Sequence, residues 1–340
     1  MATFSPPMRR VSRLILLAVV ACAVFCGWLG WFALKPVPLA SSPLEFDIRP
    51  GLGLRAAAGQ MTDAGVGFAP WQFSLLGRLT GKAGEIKAGS YEVSRGITPW
   101  DLLKKLTRGD VTQAEIVFVE GRTFRQFRAT LDADLNVRHD TLGLTDSEAL
   151  ARIGATETHP EGLFFPDTYL FAKQSSDVDV LRRAYRAMQR RLTVEWESRD
   201  PSAPYRTPYQ ALIMASIVEK ETGQPSDRPL VASVFANRLR VGMLLQTDPT
   251  VIYGLGDKFD GNLRKRDLTM DTPYNTYTRA GLPPTPIAMP GLASIQAALH
   301  PPVTDRLYFV ARGDGSSVFS RTLEEHNRAV AKYQRRNGGS

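Results

Sequence analysis

The chain has 340 residues, 43% of them hydrophobic, and a formal net charge of +8. This is enough chain to bury a substantial core and to hold two domains. Segment 1–35 supplies Arg9, Arg10, Arg13 and Lys35 with no acid, leaving only +4 spread over the remainder, which is not the clustered footprint of a nucleic-acid binder.

Residues 1–13 carry three arginines, and Leu14 to Leu34 is then free of charge until Lys35-Pro36. At 1.5 Å per residue the apolar run reaches roughly 31 Å, the thickness of a hydrocarbon core. Arginines before the run predict an N-terminus inside and a body outside, and Trp28, Trp31 and Phe32 suit an interfacial belt. A cleaved signal peptide would have a shorter apolar region and a small-residue site at its end. Val19-Val20-Ala21-Cys22 also looks like a lipoprotein signal, but the apolar run continues well past Cys22. The reading is therefore a cytoplasmic N-terminus over 1–13, an uncleaved transmembrane helix over 14–34 and a Pro/Ser-rich linker over 35–44. Both cysteines, Cys22 and Cys26, fall inside the span, so the body is expected to contain neither a disulfide nor a thiol-bound metal. The histidines (His139, His159, His300 and His326) form no HExxH pattern, so neither a zinc site nor another cofactor is expected.

A pattern then recurs. Phe46–Gly51, Tyr91–Gly96 and Val117–Gly121 each read as a short alternating strand ending at a turn glycine. Met61, Leu106 and Leu131 follow those glycines at the same distance, and Thr98 and Thr123 are placed as helix N-caps. Over 45–112 this unit resembles a LysM-type module, which implies binding of N-acetylglucosamine-containing glycans. The competing reading is an ordinary strand–turn–helix unit that binds nothing. Glu157 to Tyr169 is aromatic and turn-rich, suited to a sugar site or to a core. Asp179 to Glu197 predicts a basic amphipathic helix with Leu181, Tyr185, Met188 and Leu192 on its buried stripe.

Tyr205 to Gly223 predicts the central helix. Thr207, Pro208 and Gln210 make a capping box with proline in the first turn, and Gly223 is placed for a left-handed C-terminal cap. Ala211 to Val218 is apolar on every face, so the helix should be buried on most sides. Glu219 follows. A carboxyl at the edge of such a run loses solvation, which favours its neutral, proton-donating form. The competing reading is that Glu219, Lys220 and Glu221 are only the polar end of a buried helix. A second helix is capped by Ser226 or Asp227, carries Leu230, Val231, Val234, Phe235 and Leu239, and ends at Gly242. Asp248-Pro249 reads as a further N-cap. Asp271–Tyr277 and Gly281–Pro286 form a long irregular stretch of the kind that often binds ligand. A helix from Pro290 to His300, a strand at Leu307–Val310 and a helix from Thr322 to Arg336 complete an α+β chain.

Six segments in order carry a family resemblance: HPEGLFFPDTY (159–169), ASIVEKET (215–222), VASVFANRL (231–239), LQTDPTVIYG (245–254), YNTY (274–277) and GLPPTPIAMPG (281–291). Together they resemble the MltG-type (YceG-like) endolytic murein transglycosylases of bacteria. The resemblance covers the whole chain and implies a catalytic domain over 113–336 with Glu219 as the catalytic residue. The implied reaction cuts the β-1,4 bond between N-acetylmuramic acid and N-acetylglucosamine, leaves a 1,6-anhydro end and ends growth of nascent strands. Peptidoglycan synthases are the implied partners and the periplasmic face of the inner membrane the implied place, with no nucleic acid involved. Ordinary glycosidases need two carboxylates. In the implied scheme one glutamate acts twice, because the sugar's own C6 hydroxyl replaces water. Gln246, Asp248, Tyr274, Asn275 and Tyr277 are candidates for substrate contacts or for orienting Glu219, and caps or turns are the competing role for each. Glu221, two residues on, should point away from Glu219. Two other readings stay open. One is a non-catalytic, membrane-anchored glycan-binding scaffold. The other is a hydrolytic muramidase with Asp248 as second carboxylate.

Overall fold

The computed structural model describes residues 6–221 and 223–333, with side chains from residue 11 onward. The chain divides into two compact units, Met1–Ala114 with Phe171–Ser175, and Glu115–Leu170 with Ser176–Ser340.

The first unit begins with helix α1 (Pro6–Leu34), whose stretch Val11–Leu34 is long and apolar enough to cross a membrane. Its last turns do not stand free. Phe32 is buried, and Leu29 and Ala33 pack on the unit's core. The residues after it, expected as a linker, are hydrogen-bonded into the unit: Val37 N–H to Ile97 O, Ala40 N–H to Gly65 O, and Gly67 N–H to Pro38 O. Strand β1 (Leu44–Ile48) leads through α2 (Leu54–Asp63) and α3 (Pro70–Leu79) to β2 (Gly89–Val93), then to α4 (Pro99–Arg108). β1 and β2 pair antiparallel, with Phe46 opposite Tyr91. Alternation along β1 puts Leu44, Phe46 and Ile48 inward. Thr98 caps α4 by accepting from Asp101 N–H, as the sequence predicts, and Met61 and Leu106 are fully buried. α3 was not anticipated. It opens with Pro70 after an alanine, without the hydroxyl or carboxamide that usually marks a helix start.

Strand β3 (Gln113–Val117) pairs with β4 (Thr168–Ala172). β3 ends earlier than expected, so Phe118 to Glu120 lie beyond the strand, with Phe118 N–H still bonded to Asp167 O. Between the strands run α5 (Phe124–Ala133), started by a Thr123–Gln126 capping box, and α6 (Asp146–Ile153). After them come α7 (Asp177–Glu197), α8 (Pro208–Glu221), α9 (Arg228–Arg240), α10 (Asp248–Leu255) and the short α11 (Lys265–Thr269). The unit closes with α12 (Leu292–Leu299), β5 (Tyr308–Ala311), β6 (Ser317–Ser320) and α13 (Leu323–Tyr333). α8 is the axis of this unit, with Ala211 to Val218 all buried and α12, α9, α7 and α10 packed around it. One boundary differs from expectation. Thr247, not Asp248, is the N-cap of α10, and Asp248 is its first helical residue. β6 was also unforeseen; it pairs antiparallel with β5.

Candidate active site

At the start of α8, Thr207 Oγ1 accepts from Gln210 N–H at 3.2 Å. The return bond lands one residue earlier than a capping box requires, from Arg206 N–H to Gln210 Oε1 at 2.7 Å. The expected cap at Gly223 turns on Thr222, which lies outside the described residues. Ser216, buried within the apolar run, donates to Ile213 O and accepts from Ile287 N–H at 3.0 Å. That second bond ties the 286–291 segment to the helix.

Glu219 is the first residue of α8 to leave the buried core. Its Oε2 accepts from Gly291 N–H at 3.0 Å and from Ser294 Oγ–H at 2.7 Å. Gly291 is the N-cap of α12, so the carboxyl sits where that helix presents unpaired N–H groups. Opposite lies the turn after β3. Gly121 takes φ +72°, a left-handed conformation that glycine adopts freely. It donates to Met289 O at 2.9 Å, while Met289 N–H donates to Arg122 O at 2.8 Å and Lys220 Nζ donates to Gly121 O at 3.3 Å. This short ladder brings Glu120 to Gly291. A β-carbon at 291 would overlap the Glu120 carboxyl, so the close approach depends on glycine there. Burial pushes the Glu120 carboxyl up, the negative charge of Glu219 pushes it further, and Arg228 opposes both. Glu120 was not among the sequence candidates. Its only signal was a carboxylate directly before a turn glycine.

A cleft of about 940 Å³ is walled in part by Gly121, which lies against Glu219, and by Lys220, the next residue of α8; Glu219 itself is not one of its lining residues. Its volume falls in the range of ligand sites. Glu161 and Tyr253 line the cleft further along. Glu161 is only 3% exposed. It accepts from Phe124 N–H at the start of α5 and from Tyr253 O–H, both at 3.0 Å. Burial drives its carboxyl up to about 7 against the opposing effect of those two bonds. The ring of Tyr253 meets Tyr274 edge-on at 5.0 Å.

The sequence candidates separate into four places. Tyr274 lines the cleft and shares a hydrogen bond with Thr285. Asn275 is fully buried, and its amide donates to the carbonyls of Asp267, Leu268 and Met270 while its Oδ1 accepts from Tyr277 N–H. It therefore organises its own loop. Asp248 and Tyr277 meet each other, Tyr277 O–H donating to Asp248 Oδ1 at 2.6 Å. They gather with Glu221, which accepts from Thr247 Oγ1 and whose carboxyl is pushed up to about 7 by burial and further by the charge of Asp248. Glu221 thus has partners different from those of Glu219. Gln246 is exposed and takes φ +49°, with its N–H bonded to Thr276 O.

A model of the YceG-like family matches residues 46–332. A Bacillus subtilis protein named endolytic murein transglycosylase is 34% identical over 322 residues, an alignment covering 89% of each chain. A Streptococcus pneumoniae protein of the same name is 29% identical over 290 residues, which is 73% of this chain but 51% of that longer protein. Among solved structures, a yceG-like protein from Listeria monocytogenes is 31% identical with a TM-score of 0.55, covering 84% of this chain and 98% of that one. A family match over most of the length, together with a relative of this identity and coverage, establishes that the chain belongs to the YceG-like family.

Proposed function

We propose that this chain is an endolytic lytic transglycosylase of peptidoglycan, with Glu219 as its acid and base. The observation that carries the reading is the placement of Glu219: at the rim of a buried helix, beside the cleft walls Gly121 and Lys220, and held by two donors at the start of α12. The names of the Bacillus and pneumococcal relatives support the substrate class.

In this reading the Glu219 carboxyl donates its proton to the glycosidic oxygen as the bond to C1 of N-acetylmuramic acid breaks. The N-acetylglucosamine side leaves as an alcohol. The resulting carboxylate takes the proton from the C6 hydroxyl, and O6 closes on C1 to give the 1,6-anhydro end. One proton leaves the glutamate and one returns, so the cycle balances without water. Effective molarity favours a hydroxyl already on the reacting sugar over a separate nucleophile. Gly291 N–H and Ser294 Oγ–H suit the carboxylate stage, being donors already aimed at the oxygen that becomes charged. α1 serves as a single-pass anchor with its N-terminus inside, and cutting close to the membrane fits the ending of nascent strands made by synthases there. The pair β1–β2 enclosing two helices supports a small LysM-like module in the first unit.

Product analysis tests the proposal. The full chain in detergent or nanodiscs is incubated with purified glycan strands and the fragments are weighed. Anhydro ends, lighter by one water than reducing ends, should come from the wild type and not from Glu219→Gln. Reducing ends would mean hydrolysis and overturn the one-glutamate scheme. Equal products from both chains would remove Glu219 from the chemistry.

A further inference from the structure

Within the first unit, among the described residues, one helix face is left largely exposed. α3 buries Phe73 and Leu76 and turns Trp71, Leu75, Arg78 and Leu79 the other way. These positions fall at helical spacing along one side. Trp71 is 51% exposed and Leu79 57% exposed. Two large apolar side chains left bare on one helix call for a partner.

The position of α3 identifies that partner. The Trp71 ring stacks on Trp28 of α1, with centroids 5.6 Å apart and planes 14° from parallel. Trp28 marks the level at which α1 stops being exposed all round and starts packing on the unit, through Leu29, Phe32 and Ala33. Below that level, from Val11 to Phe25, the apolar side chains of α1 are exposed. The bare face of α3 is therefore continuous with the surface of α1 that a bilayer would cover. Val11 to Trp28 spans roughly 27 Å, close to a hydrocarbon thickness without the packed turns. Trp31 on the same level is exposed beneath the ammonium of Lys35, 4.3 Å from its ring centroid.

We propose that α3 is an interfacial helix that seats the first unit directly on the outer leaflet of the membrane, with Trp71, Leu75 and Leu79 at the boundary of acyl chains and headgroups. This rests on the reading of α1 as the membrane span. An amphipathic helix with tryptophan and leucine on one side and basic residues beside them is suited to that boundary. α3 contains no acid. Arg78 at its edge carries a long apolar stem that lets its charge reach phosphate level, as does Lys82 past the helix end, whose ammonium also lies 3.7 Å from Glu85. Anionic lipids are accordingly the favoured headgroups. The unit is then fixed at the surface by two elements, rather than swinging on a linker, which agrees with the hydrogen bonds that pin residues 37–40.

Lipid-depth quenching separates the two claims. The full chain is placed in phosphatidylglycerol/phosphatidylethanolamine vesicles with one bimane-labelled cysteine at a time, using native Cys22 with Cys26→Ser, or Leu79→Cys in a Cys22→Ser/Cys26→Ser background. Lipids carry nitroxides near the headgroup or deep in the acyl chain. The proposal expects the deep quencher to act on Cys22 and the shallow one to act on Leu79→Cys severalfold more than aqueous iodide does. Quenching of Cys22 with the position-79 label open to iodide would overturn the seating while leaving the span intact. If neither label meets lipid, the span reading fails and the seating with it.

Discussion

Glu120 and Glu219 meet across Gly291: the glycine N–H donates to Glu219 Oε2, and the Glu120 carboxyl fills the space that a β-carbon at 291 would need. Burial raises the Glu120 carboxyl and the charge of Glu219 raises it further, so the proton held by Glu120 depends on its neighbour. Under the proposed scheme Glu120 is a positioning residue. Glu120→Gln removes its carboxyl, so kcat should fall with KM nearly constant, and the inflection of the pH–kcat/KM profile that follows the raised Glu120 carboxyl should be lost. An unchanged profile with only a lower melting temperature would reduce Glu120 to a structural role.

Gly291→Ala should mimic that change. The backbone at 291 tolerates alanine, and the group in the way is the end of a flexible side chain. The variant should fold with a melting temperature near wild type but push the Glu120 carboxyl aside. Its pH profile should match that of Glu120→Gln, and the double variant should add nothing further, since both act on one interaction. Additive losses would show that the two residues act separately.

How much of this was legible beforehand follows from distance along the chain. The buried helix that ends at Glu219 could be read because its signal is local, eight apolar residues on every face and then a carboxyl, while the catalytic role came only from the family resemblance. The capped helices at Thr98 and Thr123 were readable for the same reason. Glu120 could not be ranked, because its meaning comes from Gly291 at the far end of the same unit, through the Gly121–Met289 ladder. Asp248 looked like a second carboxyl for Glu219, but its charge acts on Glu221 and its side chain on Tyr277. Asn275 looked like a ligand-binding amide in a loop, and its hydrogen bonds turn out to be spent on the loop carbonyls. Sequence spacing places residues on a helix; it does not say which distant loop folds against them.

Ser294→Ala tests the second donor on Glu219. The hydroxyl at 2.7 Å is a hydrogen bond to a carboxyl that must cycle between charged and neutral forms. Such bonds to charged groups contribute about 1.5–3 kcal/mol, so kcat should fall by about tenfold or more with KM nearly constant. Ser294→Thr, which keeps a hydroxyl, should recover part of the loss. If both variants lose activity in step with melting temperature, the serine serves α12 and not the chemistry.

Glu161 offers a test that needs no substrate. Burial raises its carboxyl from 4.5 to about 7, so the folded chain binds this proton more tightly than the unfolded chain does. The stability it lends is complete below about pH 4.5 and is lost as pH rises through about 7. Above that, a buried carboxylate weighs on the fold by about 3 kcal/mol relative to acid. Glu161→Gln keeps an acceptor for Phe124 N–H and Tyr253 O–H and never ionises. Melting temperatures of variant and wild type should therefore lie close at about pH 5 and separate by several degrees in favour of the variant at about pH 8. Parallel curves across that range would mean that Glu161 is already ionised in the folded chain at pH 5, and that the cleft near Tyr253 is wetter than its burial implies.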